Sequence, residues 1–210
     1  VQQDKLLYMY YSGWMRGVTV PYYSAIGLAI SEDQGATFRR YSEAPIVDRS
    51  SVDPYMVISG CVLKEKDVWR TWYSSAKSFE LENGKPMYRY HMKYAESKDG
   101  IHWVREGRVC VDFKSEKEMR IGRPCVVKEG STYRMWYCYA FDAYRIGYAE
   151  SEDGVHWLRR DEEVGIDVSE SGWDCEMVCY PFVFEARGQK FMVYNGNSYG
   201  KTGLGYAILE

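Results

Sequence analysis

Apolar and polar residues alternate in short runs along the whole chain, the period-two pattern of half-buried strands, and no stretch carries the 3.6-residue period of an amphipathic helix. The pattern is clearest in Ile146 to Arg160, IGYAESEDGVHWLRR, and it recurs. Met92 to Arg105 reads MKYAESKDGIHWVR, Ile26 to Arg40 reads IGLAISEDQGATFRR, and Leu204 to Glu210 reads LGYAILE. A constant core repeated at unequal steps, marked by Ala29, Ala95, Ala149 and Ala207, predicts one structural unit carrying variable loops.

Within the unit, an alternating strand runs into Ser151, Asp153 and Gly154, and Trp157 opens the next strand. Ser and Asp side chains bond nearby backbone N–H groups and Gly takes φ > 0, so this is hairpin chemistry. The same reading places Ser97, Asp99, Gly100 and Trp103 in a second hairpin and Ser31, Asp33, Gly35 and Phe38 in a third. These carboxylates and the hairpin histidines His102 and His156, like His91 in its strand, are expected to serve structure and not catalysis. Each group adds an inner strand opening near a proline (Pro54, Pro124, Pro181) and a second strand rich in Trp and Tyr. The prediction is an all-β fold: a single domain over residues 1–210, a β-propeller of four-stranded antiparallel blades. The first group starts at its second strand and the last stops after its third, so about three and a half blades are expected. Asn83 to Pro86 is expected as a long loop, and Lys114 to Glu118 as a solvated charge run.

A formal net charge of −3 gives no electrostatic case for nucleic acid or an anionic membrane, and no apolar run is long enough to span a bilayer. The six cysteines sit mostly inside apolar strand patterns, without the second Cys or His pair of a zinc site. They are expected as buried free thiols of a cytoplasmic protein, with no metal and no cofactor. Aromatic residues make up 16%, led by 20 tyrosines. They suit the wedges between blades and equally the faces of sugars.

The blade order, the S-x-D-G-x-x-W hairpins and the acidic residues near inner-strand mouths resemble the five-bladed propeller glycosidases. That group holds the arabinanases and xylosidases (family 43), invertases and fructosidases (family 32) and β-mannoside phosphorylases (family 130). Strings such as GRPCVVKEGSTYRMWY, GWDCEMVCYPFVFE and YNGNSYGKTGLGYA look like an uncharacterised bacterial branch of that superfamily. The resemblance covers essentially the whole chain and implies a truncation at the amino end of about a blade and a half. SEDQGATF also matches the Asp-box of sialidases, a fold signature and not a sugar site.

The resemblance implies cleavage of, or transfer at, a glycosidic bond by paired carboxylates. Glu176 in WDCEM would be the general acid, Asp53 ahead of Pro54 the second carboxylate, and Asp174 a partner that raises the pKa of its neighbour. Arg123 stands where the pattern has an Asp and is a candidate ligand for a sugar hydroxyl, a carboxylate or a phosphate, or equally a structural partner of Glu176. Asn195 and Asn197 are candidates for hydroxyls and Trp173, Trp14 and Tyr199 for stacking. The alternative is a carbohydrate-binding or interaction propeller without activity. Open blade edges at both ends predict a homodimer.

Overall fold

A computed structural model describes residues 1–82 and 84–209; Asn83 of the expected loop and Glu210 of the last repeat lie outside the described residues. Packing divides the chain into two compact units, residues 1–110 and 111–210. In the first, β1 (Gln2–Gln3), β2 (Leu6–Arg16), β3 (Tyr22–Ser31) and β4 (Arg39–Arg40) form one antiparallel sheet in that order. Next, β5 (Val57–Lys64), β6 (Trp69–Glu82), β7 (Lys85–Ser97) and β8 (Trp103–Val104) pair in succession, all antiparallel. The short strand β9 (Val109–Val111) follows.

In the second unit, β10 (Arg120–Glu129), β11 (Thr132–Ala140), β12 (Tyr144–Ser151) and β13 (Leu158–Arg159) repeat that arrangement. Strands β14 (Cys179–Ala186), β15 (Gln189–Asn195) and β16 (Leu204–Ile208) form a sheet of three. Among the described residues, helical turns are confined to Asp161–Glu163 and Asn197–Gly200. The fold is all-β, built of antiparallel propeller blades, and among the described residues no sheet closes on itself.

The hairpins use the expected chemistry. Ser97 Oγ donates to Asp99 and accepts from Gly100 N–H, while Asp99 Oδ1 accepts from the N–H of Ile101 and His102 at 2.8 Å each. Ser151 and Asp153 repeat the pattern. Hydrogen bonds from Thr37 hold Asp33 down at about 2. The expected loop is corrected at Lys85 and Pro86, which belong to β7: β6 and β7 run on as an antiparallel pair that matches Leu81 with Pro86 and Glu82 with Lys85. Packing of Phe79 on Tyr88, ring centroids 4.2 Å apart, and an Arg89–Glu80 ion pair support the extension. Trp72 and Trp136 are buried, and Trp103 and Trp157 half-buried. In the second unit, Trp136 and Tyr148 pack against Val183 and Met192, joining two blades.

The prolines also sit differently from expectation. Pro124 and Pro181 lie inside β10 and β14, at register shifts between Gly122 and Cys125 and between Cys179 and Phe182. A bulge frees a ladder position, so the missing N–H costs nothing there. The matching shift in β5 falls between Ile58 and Cys61, six residues beyond Asp53-Pro54. The bulge residues Ser59, Arg123 and Tyr180 all have positive φ (57°, 54° and 59°). One face of the last sheet is apolar and open: Phe182, Val193 and Tyr206 are directly cross-strand, as are Phe184, Phe191 and Ile208.

Candidate functional site

The bulges put the blades in register, and the register assigns the carboxylates. Asp53 lies six residues before Ser59, Asp174 six before Tyr180 and Glu118 five before Arg123, and all three are buried. Asp53 is 0% exposed. Its Oδ1 accepts from Ser75 Oγ (2.7 Å) and Lys93 Nζ (3.1 Å), and its Oδ2 from Tyr73 OH (3.1 Å) and Arg105 Nη1 (2.8 Å). A carboxylate has about four acceptor sites. Here all are filled, and none faces a substrate. Asp53 therefore holds its blade together, ahead of the role expected from the Asp-Pro pattern.

Glu118 does the same in the next blade. It was expected in a solvated run, yet it is wholly buried. Arg159 grips both of its oxygens at 2.7 and 2.8 Å, and Lys114 N–H donates at 2.7 Å. Arg105 and Arg159 each stand two residues after the hairpin tryptophan, so this buried Arg–carboxylate pair is a property of the blade. Arg159 also reaches Asp161 at 2.8 Å. Burial alone would raise the Asp161 carboxyl, but hydrogen bonds from Tyr137 and Lys114 and the Arg159 charge hold it below its ordinary value. The ring of Tyr137 lies over Gly147, as Tyr11 lies over Gly27 and Tyr194 over Gly205. A Cβ at any of the three would sit within 2.8 Å of ring carbon. No single motif marks this box; it emerges from the repeat register of the folded blades.

Asp174 and Glu176 do not form the expected pair. Asp174 is buried and turned to Tyr194 OH, 3.3 Å away. Glu176 is exposed. Its backbone is clamped: Asn197 Oδ1 accepts from the N–H of Glu176 (2.8 Å) and Met177 (3.1 Å), and Arg145 Nη1 donates to its carbonyl at 3.0 Å. Asn197 is itself buried and donates to Gly172 O, so its amide is spent inside the protein and is not offered to a sugar. Asn195 Nδ2 donates to Tyr199 O and fixes that turn. Trp173 stacks on Tyr194 and packs against Gly196 and Gly205, which makes it a wedge residue and not a stacking platform. These departures share one cause: polar and aromatic residues near this strand mouth brace it.

Four side chains do converge: Arg123 and Tyr199 exposed, Tyr180 half-buried and Tyr144 buried beneath them. The Arg123 guanidinium lies 4.7 Å over the Tyr180 ring. Tyr180 stacks with Tyr199 (6.1 Å, 25°), and Tyr144 meets Tyr199 edge-on at 6.0 Å. Arg123 is exposed, and Tyr199 is 54% exposed with φ 61°. Tyr144 also ties this cluster to Glu176: its carbonyl accepts from Val178 N–H and from Arg145, the residue that holds Glu176. Arg145 Nε further pairs with Asp167 at 3.1 Å. Tyr144 and Tyr180 were not among the residues singled out from sequence. Trp14 belongs to the first unit, where it is exposed beside Tyr22 and lines a cleft of about 520 Å³ with Tyr11, Tyr23, Arg40 and Arg49. Among the described residues no group of three or more His, Cys, Asp or Glu is placed to hold a metal. All six cysteines are unbridged.

This is the fold of the propeller glycosidases. A solved glycoside hydrolase matches with a TM-score of 0.75 at 19% identity, over 99% of this chain and 63% of the other. The Cellvibrio cellulosa α-L-arabinanase complexed with arabinohexaose matches with a TM-score of 0.68 at 16% identity, over 100% of this chain and 72% of the other. At such identities the likeness is one of fold. No family model matches the chain. In sequence it is 42% identical over 202 residues to the uncharacterised protein MT1551 of Mycobacterium tuberculosis (strain CDC 1551 / Oshkosh), covering 96% of this chain and 67% of the relative. The chain belongs to the family of that mycobacterial protein. It spans 63% of the glycoside hydrolase's length and about two thirds of the mycobacterial relative's.

Proposed function

We propose that the protein binds carbohydrate on the face formed by Arg123, Tyr180 and Tyr199 beside Glu176, with Tyr144 packed beneath it. The observation that carries this reading is the tyrosine cluster: the exposed Tyr199 ring stacked on the half-buried Tyr180, with Tyr144 buried behind them, and the whole braced by Asn195 and Asn197. Aromatic faces take the apolar face of a sugar ring while hydroxyls and guanidinium serve its polar edge. Affinity electrophoresis against a panel of polysaccharides tests it. Retardation by at least one glycan, lost in Tyr199→Ala, is the expected result; no retardation by any glycan would refute it.

Cleavage of a glycosidic bond, with Glu176 as general acid, is the second reading. The rigid clamp on its backbone favours it, because catalysis needs a fixed carboxyl. Against it stand Asp53 and Asp174, both buried, since the chemistry needs a second accessible carboxylate about 5–9.5 Å away. Release of reducing sugar that disappears in Glu176→Gln while binding persists would establish the enzyme reading. The open apolar face of the last sheet supports association with a second copy of the chain, and the buried free thiols support a reducing compartment.

A further inference from the structure

We infer that the sugar taken by this face is an acidic one, a uronate whose carboxylate is received by Arg123. The inference rests on the carbohydrate reading above. The other arginines of this unit that brace its blades and its site are spent: Arg159 on Glu118 and Asp161, Arg145 on Asp167 and the Glu176 carbonyl. Arg123 differs. No carboxylate lies within ion-pair distance of its guanidinium among the described residues, and its contact is the face of Tyr180. Stacking on a ring leaves the planar N–H edge free, the edge that matches a carboxylate in a two-point hydrogen bond.

Its position is built and not incidental. Arg123 is the bulge residue of β10, held at φ 54° in the register that Ser59 and Tyr180 occupy in their own blades. A non-glycine residue there is strained, and the surrounding sheet must hold it in place. The thiols nearest to it do not neutralise it: burial pushes Cys179 up to about 11 and Cys138 higher still, so both stay protonated. The Arg123 guanidinium therefore keeps its charge next to Tyr180 and Tyr199 without a carboxylate of the described residues in ion-pair distance. Its neighbour Arg145 is already engaged by Asp167 and the Glu176 carbonyl. A single available guanidinium suits a carboxylate monoanion better than a phosphate dianion, with the adjoining rings a surface for the sugar that carries it.

The test compares the oligogalacturonate and oligoglucuronate free acids with their methyl esters, which keep the sugar and remove the charge. Binding is read by ligand-observed NMR and calorimetry at low salt, with inorganic phosphate and neutral arabinan and galactan oligosaccharides as further probes. At least one free acid should bind about ten- to a hundredfold more tightly than its ester, the scale of a charge-assisted two-point contact. That preference should vanish in Arg123→Gln, partly return in Arg123→Lys, and weaken from 50 to 500 mM salt. Unaltered circular dichroism and urea midpoint of the variants exclude misfolding as the cause. Equal affinity of acid and ester, a preference that survives Arg123→Gln, or displacement by phosphate at the same concentration as uronate would each overturn the inference. Binding of neutral oligosaccharides without an acid preference overturns it alone; no binding of any carbohydrate overturns the parent reading with it.

Discussion

Removing the Arg159 side chain tests the carboxylate box most directly. Glu118 is 0% exposed and has three donors, of which Arg159 supplies two and Lys114 N–H the third. Arg159→Met fills much of the volume but strands a buried carboxylate with one hydrogen bond. Breaking such a pair from one side costs about 3–5 kcal/mol, mostly the penalty of the charge left behind. Glu118→Gln is milder, about 1–3 kcal/mol, because Arg159 keeps Asp161 at 2.8 Å as a counter-ion. The double variant should then be less destabilised than the sum of the two, since no charge is left stranded at position 118. Urea unfolding followed in parallel by tryptophan fluorescence and circular dichroism reads the effect. With a slope of roughly 2–3 kcal/mol per molar, the midpoint of Arg159→Met should fall by about 1–2 M at unchanged slope. A loss below about 1 kcal/mol, or a double variant as unstable as the sum of the singles, would show that the pair is not what holds the blade.

Asp161 has a folded pKa held below its ordinary value, so it contributes stability above about pH 4 that is lost as the pH falls through the lower folded value. Asp161→Asn should therefore be less stable at pH 7 and show a flatter acid limb; an unchanged limb in acid titration of the midpoint contradicts this. Asn197→Ala removes the acceptor shared by Glu176 and Met177, and should cost about 1–3 kcal/mol and weaken glycan retardation along with stability. Gly147→Ala drives a Cβ to 2.7 Å from the Tyr137 ring and should destabilise by about 1–3 kcal/mol, whereas a neutral thermal melt would mean the ring can swing away. The open face of Phe182, Phe184 and Tyr206 should associate two copies at micromolar concentration, and the pair Phe182→Ser with Tyr206→Ser should return a monomer; sedimentation that shows 24.5 kDa for the parent chain already refutes it.

The strands and hairpins were legible because their signals are local. Alternation and the Ser-x-Asp-Gly turn act within ten residues, and each hydrogen bond that makes the turn is to a near neighbour, as at Ser97 and Asp99. The carboxylates were not legible for the opposite reason. Asp53 is decided by Lys93 and Arg105, some forty to fifty residues away, and Glu118 by Arg159 at a similar separation. Read locally, Glu118 closes a string of charges and belongs in water. Read through its partner, it is one of the most buried residues of the chain. Proline misled in the same way: Pro54 opens a segment ahead of its strand, whereas Pro124 and Pro181 sit in bulges, and only pairing across to β11 and β15 tells the two situations apart.

The corrected register separates frame from site. Before each bulge stands a buried carboxylate, Asp53, Glu118 or Asp174, and over each second strand a tyrosine, Tyr73, Tyr137 or Tyr194, whose hydroxyl reaches an acid. These positions hold the same kind of group from blade to blade, because a buried acid and its donors must match or the blade loses several kcal/mol. The bulge residue itself answers to no such constraint. It is Ser59, then Arg123, then Tyr180, with positive φ retained and chemistry changed each time. A position whose backbone is specified and whose side chain is free is where a repeat fold can install recognition without disturbing its core. That is the physical reason to look for the ligand at Arg123 and Tyr180, and not at the aspartate whose sequence neighbourhood advertises it more loudly.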